Sequence, residues 1–132
     1  MRTFSFILLL GTLAVAGCNT TGSTGSTKVV LNGRTLKVDT WGSLNPECVS
    51  TGSTSVRVLE QPKNGRVEIK EAMDFSTYPK DNIRVHCNAK RTPATQVFYT
   101  PSSGYKGPDT FQVEGIFPNG STRITRYSLD VR

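Results

Sequence analysis

From Arg34 onward, apolar and polar side chains alternate in short stretches, a period that predicts strands and not helices. Arg34 to Asp39 places Leu36 and Val38 on one face, Ser55 to Leu59 places Val56 and Val58, and Arg66 to Lys70 places Val67 and Ile69. Each reads as a half-buried strand. Asn82 to Cys87 alternates Ile83, Val85 and Cys87, which aims the cysteine into the core and turns His86 outward. Gln96 to Thr100 gives a further strand. Thr110 to Phe117 aligns Phe111, Val113 and Gly115, and Thr122 to Val131 aligns Tyr127, Leu129 and Val131. Ile124 falls outside that last register, which predicts either a bulge near Thr125 or a side chain covering the opposite face. No window sustains helical periodicity, and Glu71 to Tyr78 is the one place where a single turn is expected.

Turn-forming residues separate these segments. Gln61-Pro62-Lys63-Asn64-Gly65 puts Asn-Gly after a proline and predicts a hairpin. Pro101 to Asp109 is a loop dense in Pro, Ser and Gly, and Pro118-Asn119-Gly120-Ser121 reverses the chain. About seven short strands with such punctuation predict an all-β fold, a sandwich of two sheets.

The N-terminus has a different character. Arg2 precedes an apolar run from Phe4 to Leu10 that is too short to span a bilayer, and small residues lead into Val15-Ala16-Gly17-Cys18. This resembles a bacterial lipoprotein signal, which implies that residues 1–17 are removed and that Cys18 carries the lipid. Two or three acyl chains, each methylene worth about 0.8 kcal/mol, would anchor the chain firmly in a membrane. Asn19 after the cysteine implies the outer membrane of the bacterial cell envelope. The alternative is a secreted protein cleaved near Ala16. Residues 18–27, lipidated Cys18 and a run of Asn, Thr, Gly and Ser, hold nothing able to fill a core and read as a flexible tether of roughly 15 to 18 Å. Residues 28–132 suffice for one domain.

Without Arg2, fifteen Lys and Arg stand against ten Asp and Glu, a formal excess of +5 scattered along the chain. Such a spread reads as a solvated surface, and it would also favour anionic envelope polymers. Nucleic acid does not fit an exported protein. Cys48 and Cys87, an even pair in an exported domain, read as a disulfide closing a loop of about forty residues, worth about 4 kcal/mol in the chain-entropy estimate. There is no Cys-x-x-Cys, and His86 beside Cys87 does not complete a zinc site, so no metal or cofactor is expected.

The stretch Val97 to Val113 carries a second resemblance. Tyr99, Pro101, Gly104, Tyr105, Gly107, Asp109 and Phe111 follow the Y-x-P-x-x-G-[YF]-x-G-x-D-x-F signature of bacterial Ig-like and cadherin-like modules. Gln61 to Val67 is similar to the P-x-x-G-x-V segment that precedes it there. The resemblance covers less than half of the domain and implies an Ig-like Greek-key β-sandwich, with no ligand specified. On physical grounds Tyr99 and Phe111 anchor two neighbouring strands, Gly104 and Gly107 let the loop fold tightly, and Asp109 accepts hydrogen bonds from loop N–H groups. The corner sets strand register. Calcium at Asp109 is the rival role, but Ca²⁺ takes about six to eight oxygen ligands and no cluster of acids lies nearby in the sequence.

Catalytic chemistry finds little footing. His86 is the one histidine, and neither G-x-S-x-G nor a glycine-rich phosphate loop occurs. Glu68, Glu71 and Asp74 are close in sequence, yet such acids more often keep a surface wet than share a proton. Trp41 is expected to pack on the disulfide or to cap an open end of the sandwich, with carbohydrate stacking as its functional alternative. Lys106 with Trp41 is the candidate binding surface. The expected function is therefore a non-catalytic envelope lipoprotein that binds an envelope protein or polysaccharide through its Ig-like domain. The alternative is a lipid-anchored inhibitor of an attacking enzyme such as lysozyme, because Ser103 to Gly107 is loosely similar to the Ser-Gly and Lys-Gly motifs of membrane-bound lysozyme inhibitors.

Overall fold

The computed structural model describes residues 26–132. The signal segment, Cys18 and the tether up to residue 25 lie outside them. Among the described residues there are seven strands: β1 Lys28–Val30, β2 Leu36–Trp41, β3 Ser55–Glu60, β4 Gly65–Phe75, β5 Arg91–Pro101, β6 Gly107–Ile116 and β7 Thr122–Val131. They form a four-stranded sheet in the order β1-β7-β6-β3 and a three-stranded sheet in the order β2-β5-β4. This is an Ig-like Greek-key sandwich. All neighbours are antiparallel except β1, which runs parallel to β7.

Period-two patterning builds the core. Val97 and Tyr99 from β5, Phe111 and Val113 from β6, and Leu129 and Val131 from β7 are buried between the sheets, with Val30 and Val38 alongside. Phe111 is central: its ring centroid lies 6.1 Å from that of Tyr99 and 5.0 Å from that of Tyr127. Burying such rings together with the aliphatic side chains around them removes the core's apolar surface from water.

Four details depart from the sequence reading. Asn82 to Cys87 is not a strand; a short 3-10 helix, Val85–Ala89, follows a turn in which the Asn82 side chain accepts from Arg84 N–H at 2.8 Å. Cys87 is buried, but Ile83 is 70% exposed and Val85 37%. The alternation there came from a polar turn and not from a pleated face. Glu71 to Tyr78 makes no helical turn, because β4 continues to Phe75 against β5. Gln61 to Gly65 joins β3 in one sheet to β4 in the other, so it is a crossover and not a hairpin. The seventh strand is β1, whose three residues are too few to show a period.

Ile124 lies on the outer face with no register shift between β6 and β7. Bulges occur instead in β2, between Lys37 and Asp39, and in β3, between Val58 and Glu60. The β2 bulge inserts one residue and turns Trp41 inward, so Trp41 ends a strand and belongs to the core.

Candidate functional site

The two ends of the sandwich differ in kind. At one end lie the connections β1–β2, β3–β4 and β5–β6, and there Asp109 is buried and fully engaged. Its Oδ1 accepts from Lys63 N–H at 3.0 Å and Thr110 N–H at 2.9 Å; its Oδ2 accepts from Asn64 N–H and the Tyr99 hydroxyl, both at 2.9 Å. One carboxylate thus clamps β5, β6 and the crossover into β4. The donors from Lys63 and Asn64 belong to that crossover and not to the loop beside the aspartate. Burial first, then the bond to the Asp109 anion, push the Tyr99 hydroxyl well above the ordinary tyrosine range.

Gly104 and Gly107 take φ of 76° and 127°, the left-handed region that a side chain resists. Asn32 braces this loop by donating to the Tyr105 carbonyl at 2.7 Å. Tyr105 is half-buried with its hydroxyl on the Pro108 carbonyl, Pro101 is buried, and Lys106 is exposed. These residues form the structural corner.

The acids considered for catalysis are also engaged. Lys70 first and Arg66 next hold the Glu68 carboxyl below its ordinary value, and Glu71 is exposed. Burial alone would raise Asp74, but bonds from Lys37 on β2, Gln96 on β5, the Phe75 N–H and Thr40 on β2 hold it well below the carboxylate range. Asp74 ties together all three strands of its sheet.

The other end carries the connections 42–54, 76–90 and 117–121. Pairing places them together: Trp41 is opposite Thr95, Phe75 opposite Arg91, and Ile116 opposite both Ser55 and Thr122. The Cys48–Cys87 disulfide, with Cα atoms 5.3 Å apart, staples the first connection to the second. His86 Nε2 reinforces the staple from 2.9 Å of the Pro46 carbonyl oxygen. Cys48, His86 and Cys87 bring their ligand atoms within 4.8 Å of one another, but both sulfurs are consumed in the disulfide.

Asparagines organise each connection from within. Asn45 Oδ1 accepts from Glu47 and Val49 N–H, and Asn88 exchanges two 2.9 Å bonds with the Tyr78 backbone. Asn119 Oδ1 accepts from Ser121 N–H. These side-chain bonds hold each loop in one shape.

Two grooves open at this end, adjoining in the chain where Gly42 of the first is followed by Ser43 of the second. The first, of about 280 Å³, is lined by Asp39, Trp41, Tyr78, Asn82 and Arg123. The second, of about 390 Å³, is lined by Leu44, Asn45, Thr51, Arg84 and Asn119. A larger hollow of about 530 Å³ beside β1 and β7 is less suited to binding, because its charged groups are spent: Asp130 on Arg132, and Asp109 on the corner.

Trp41 does not offer the free ring face that carbohydrate stacking needs. It is 4% exposed; Gly115 lies against one side, the Phe117 ring is 5.9 Å away, and the Arg123 guanidinium sits 4.7 Å from its centroid. Its Nε1 donates to the Tyr127 hydroxyl at 3.2 Å, and that hydroxyl donates to Asp39. Burial first, then the bond to Asp39, raise the Tyr127 hydroxyl well above its ordinary value. Trp41 therefore shapes the floor of the first groove and positions Arg123.

The structure separates the two residues expected to form a binding surface, Trp41 at the three-loop end and Lys106 at the corner end. It adds Arg84, Arg123, Tyr78 and the exposed Val49, Ile83 and Val85 to the three-loop end. Comparison with protein-family models, with curated proteins and with solved structures gives no match.

Proposed function

We propose that this protein is a lipid-anchored, non-catalytic contact module of the bacterial cell envelope, fixed through Cys18 in the outer membrane, which binds a partner protein with its three-loop end. The observation that supports this most is the convergence there of two grooves, of Arg84 and Arg123, which make no ion pair among the described residues, and of exposed Val49, Ile83 and Val85, at an end braced by a disulfide. Exposed apolar side chains on a braced scaffold resemble the energetic centre of protein interfaces more than a solvated tip.

The test is co-purification of the full-length protein from detergent-solubilised envelopes. Wild type is expected to retain a partner in fixed stoichiometry, the combined Val49→Ser, Ile83→Ser, Val85→Ser variant to lose it, and Lys106→Ala to keep it. Loss with Lys106→Ala and retention with the triple variant would move the contact to the opposite end. Cys18→Ser is expected to release the protein from the membrane fraction, and lysozyme activity is expected to stay unchanged in the presence of excess protein.

A further inference from the structure

Arg84 and Arg123 each line one of the adjoining grooves, and neither makes an ion pair among the described residues. Arg84 Nε is buried with no hydrogen-bond partner there, a donor left unmet in a fold that satisfies nearly all others. The Arg123 guanidinium carbon lies 4.7 and 5.1 Å from the centroids of the Trp41 and Phe117 rings, which holds the group beside them while the residue stays exposed to solvent. Asp39, the acid in the first groove, is bonded by Tyr127 and by Thr40 N–H. The intervening segment 76–91 holds Lys80, Arg84, Lys90 and Arg91 against Asp81, an excess of +3.

We infer that the three-loop end takes an acidic polypeptide segment, one carboxylate on Arg84 and a second on Arg123. This rests on the contact-module reading and adds the chemistry of the partner. A planar guanidinium recognises a carboxylate through two parallel N–H bonds, and two such anchors in neighbouring grooves fix both the position and the direction of a chain. The exposed Ile83, Val85 and Val49 at the same end call for apolar side chains alongside the acids, which a polypeptide supplies and a carboxylated polysaccharide does not. The aromatic clamp on Arg123 removes rotamer freedom before binding, so less entropy is lost on capture.

The test measures fluorescence anisotropy with the full-length protein in detergent micelles, using a labelled peptide of alternating Glu and Leu. A Lys-Leu peptide and polygalacturonate serve as comparisons. The acidic peptide is expected to bind, with Kd raised about tenfold by Arg84→Gln, about tenfold by Arg123→Gln and about a hundredfold by both. Lys106→Gln and Arg34→Gln at the far end are expected to change it by less than about twofold. Arg84→Gln alters a loop side chain outside the core, so it keeps the test valid if Arg123→Gln unfolds the protein. Equal weakening by Lys106→Gln would reduce the effect to net charge, and tighter capture of polygalacturonate with the same arginine dependence would make the ligand a glycan. Either overturns the inference. Failure of the peptide while the triple-serine variant still loses the co-purified partner would overturn the acidic chemistry alone; failure of both would overturn the module reading as well.

Discussion

Gly115 stands where the strand pattern asks for an apolar side chain, and its hydrogen is the reason that Trp41 fits. A Cβ there would lie 2.2 Å from the Trp41 ring, so Gly115→Ala forces a rotation of the indole or a backbone shift. We expect a loss of about 2 kcal/mol or more, read as a lower urea midpoint with an unchanged slope. Asp74 makes a second residue-level prediction. Its carboxyl is held low in the folded state and titrates near 3.9 when unfolded, so its contribution is complete above that value and is lost as pH falls toward the folded value. Wild type should lose stability below about pH 4, and Asp74→Asn should flatten that limb of a pH series of melting curves. Asp109 was legible in the sequence because the turn signature around it marks an aspartate that accepts from backbone N–H groups, although its donors Lys63 and Asn64 lie on the distant crossover and not in the adjacent loop. The role of Asp74 was not, since its partners Lys37, Thr40 and Gln96 lie far away in the chain.

Elements were legible where one face alternates without interruption, as in β6 and β7, and where a turn has strong residues, as in Pro118 to Ser121. They were hidden where the period broke or was too brief. The inserted residue in β2 shifted Trp41 out of the simple pattern, the three residues of β1 carry no period, and Asn82 to Cys87 mimicked one by chance. That last segment is held by the disulfide, by asparagine turns and by little apolar burial beyond Cys87. Replacing both cysteines with serine should cost about 4 kcal/mol globally. It should also speed amide exchange in segments 42–54 and 76–90 more than at the Asp109 corner. Uniform acceleration across both ends would contradict this division of labour.

The whole molecule is polarised. Pairing on and between strands neutralises much of the sheet surface through Arg57–Glu114, Arg126–Glu60 and the Glu68 pairs, while the corner end spends its polar groups internally. Arg84 and Arg123, which make no ion pair among the described residues, lie with both adjoining grooves and the exposed Val49, Ile83 and Val85 at the opposite end, while the corner end exposes Leu31 and Arg34, which line neither groove. This gathering was not legible in the sequence, because Arg84 lies in the 76–90 connection and Arg123 near the start of β7, and only the Greek-key path brings both to one end. The fold class, the disulfide and the corner could be read in advance, whereas the loop surface needed the three-dimensional arrangement. The most direct measurement places a photo-crosslinking residue at position 83 or at position 106 of the full-length protein in living cells. A discrete protein adduct is expected from position 83 and none from position 106; an adduct confined to position 106 would overturn the placement of the contact at the three-loop end.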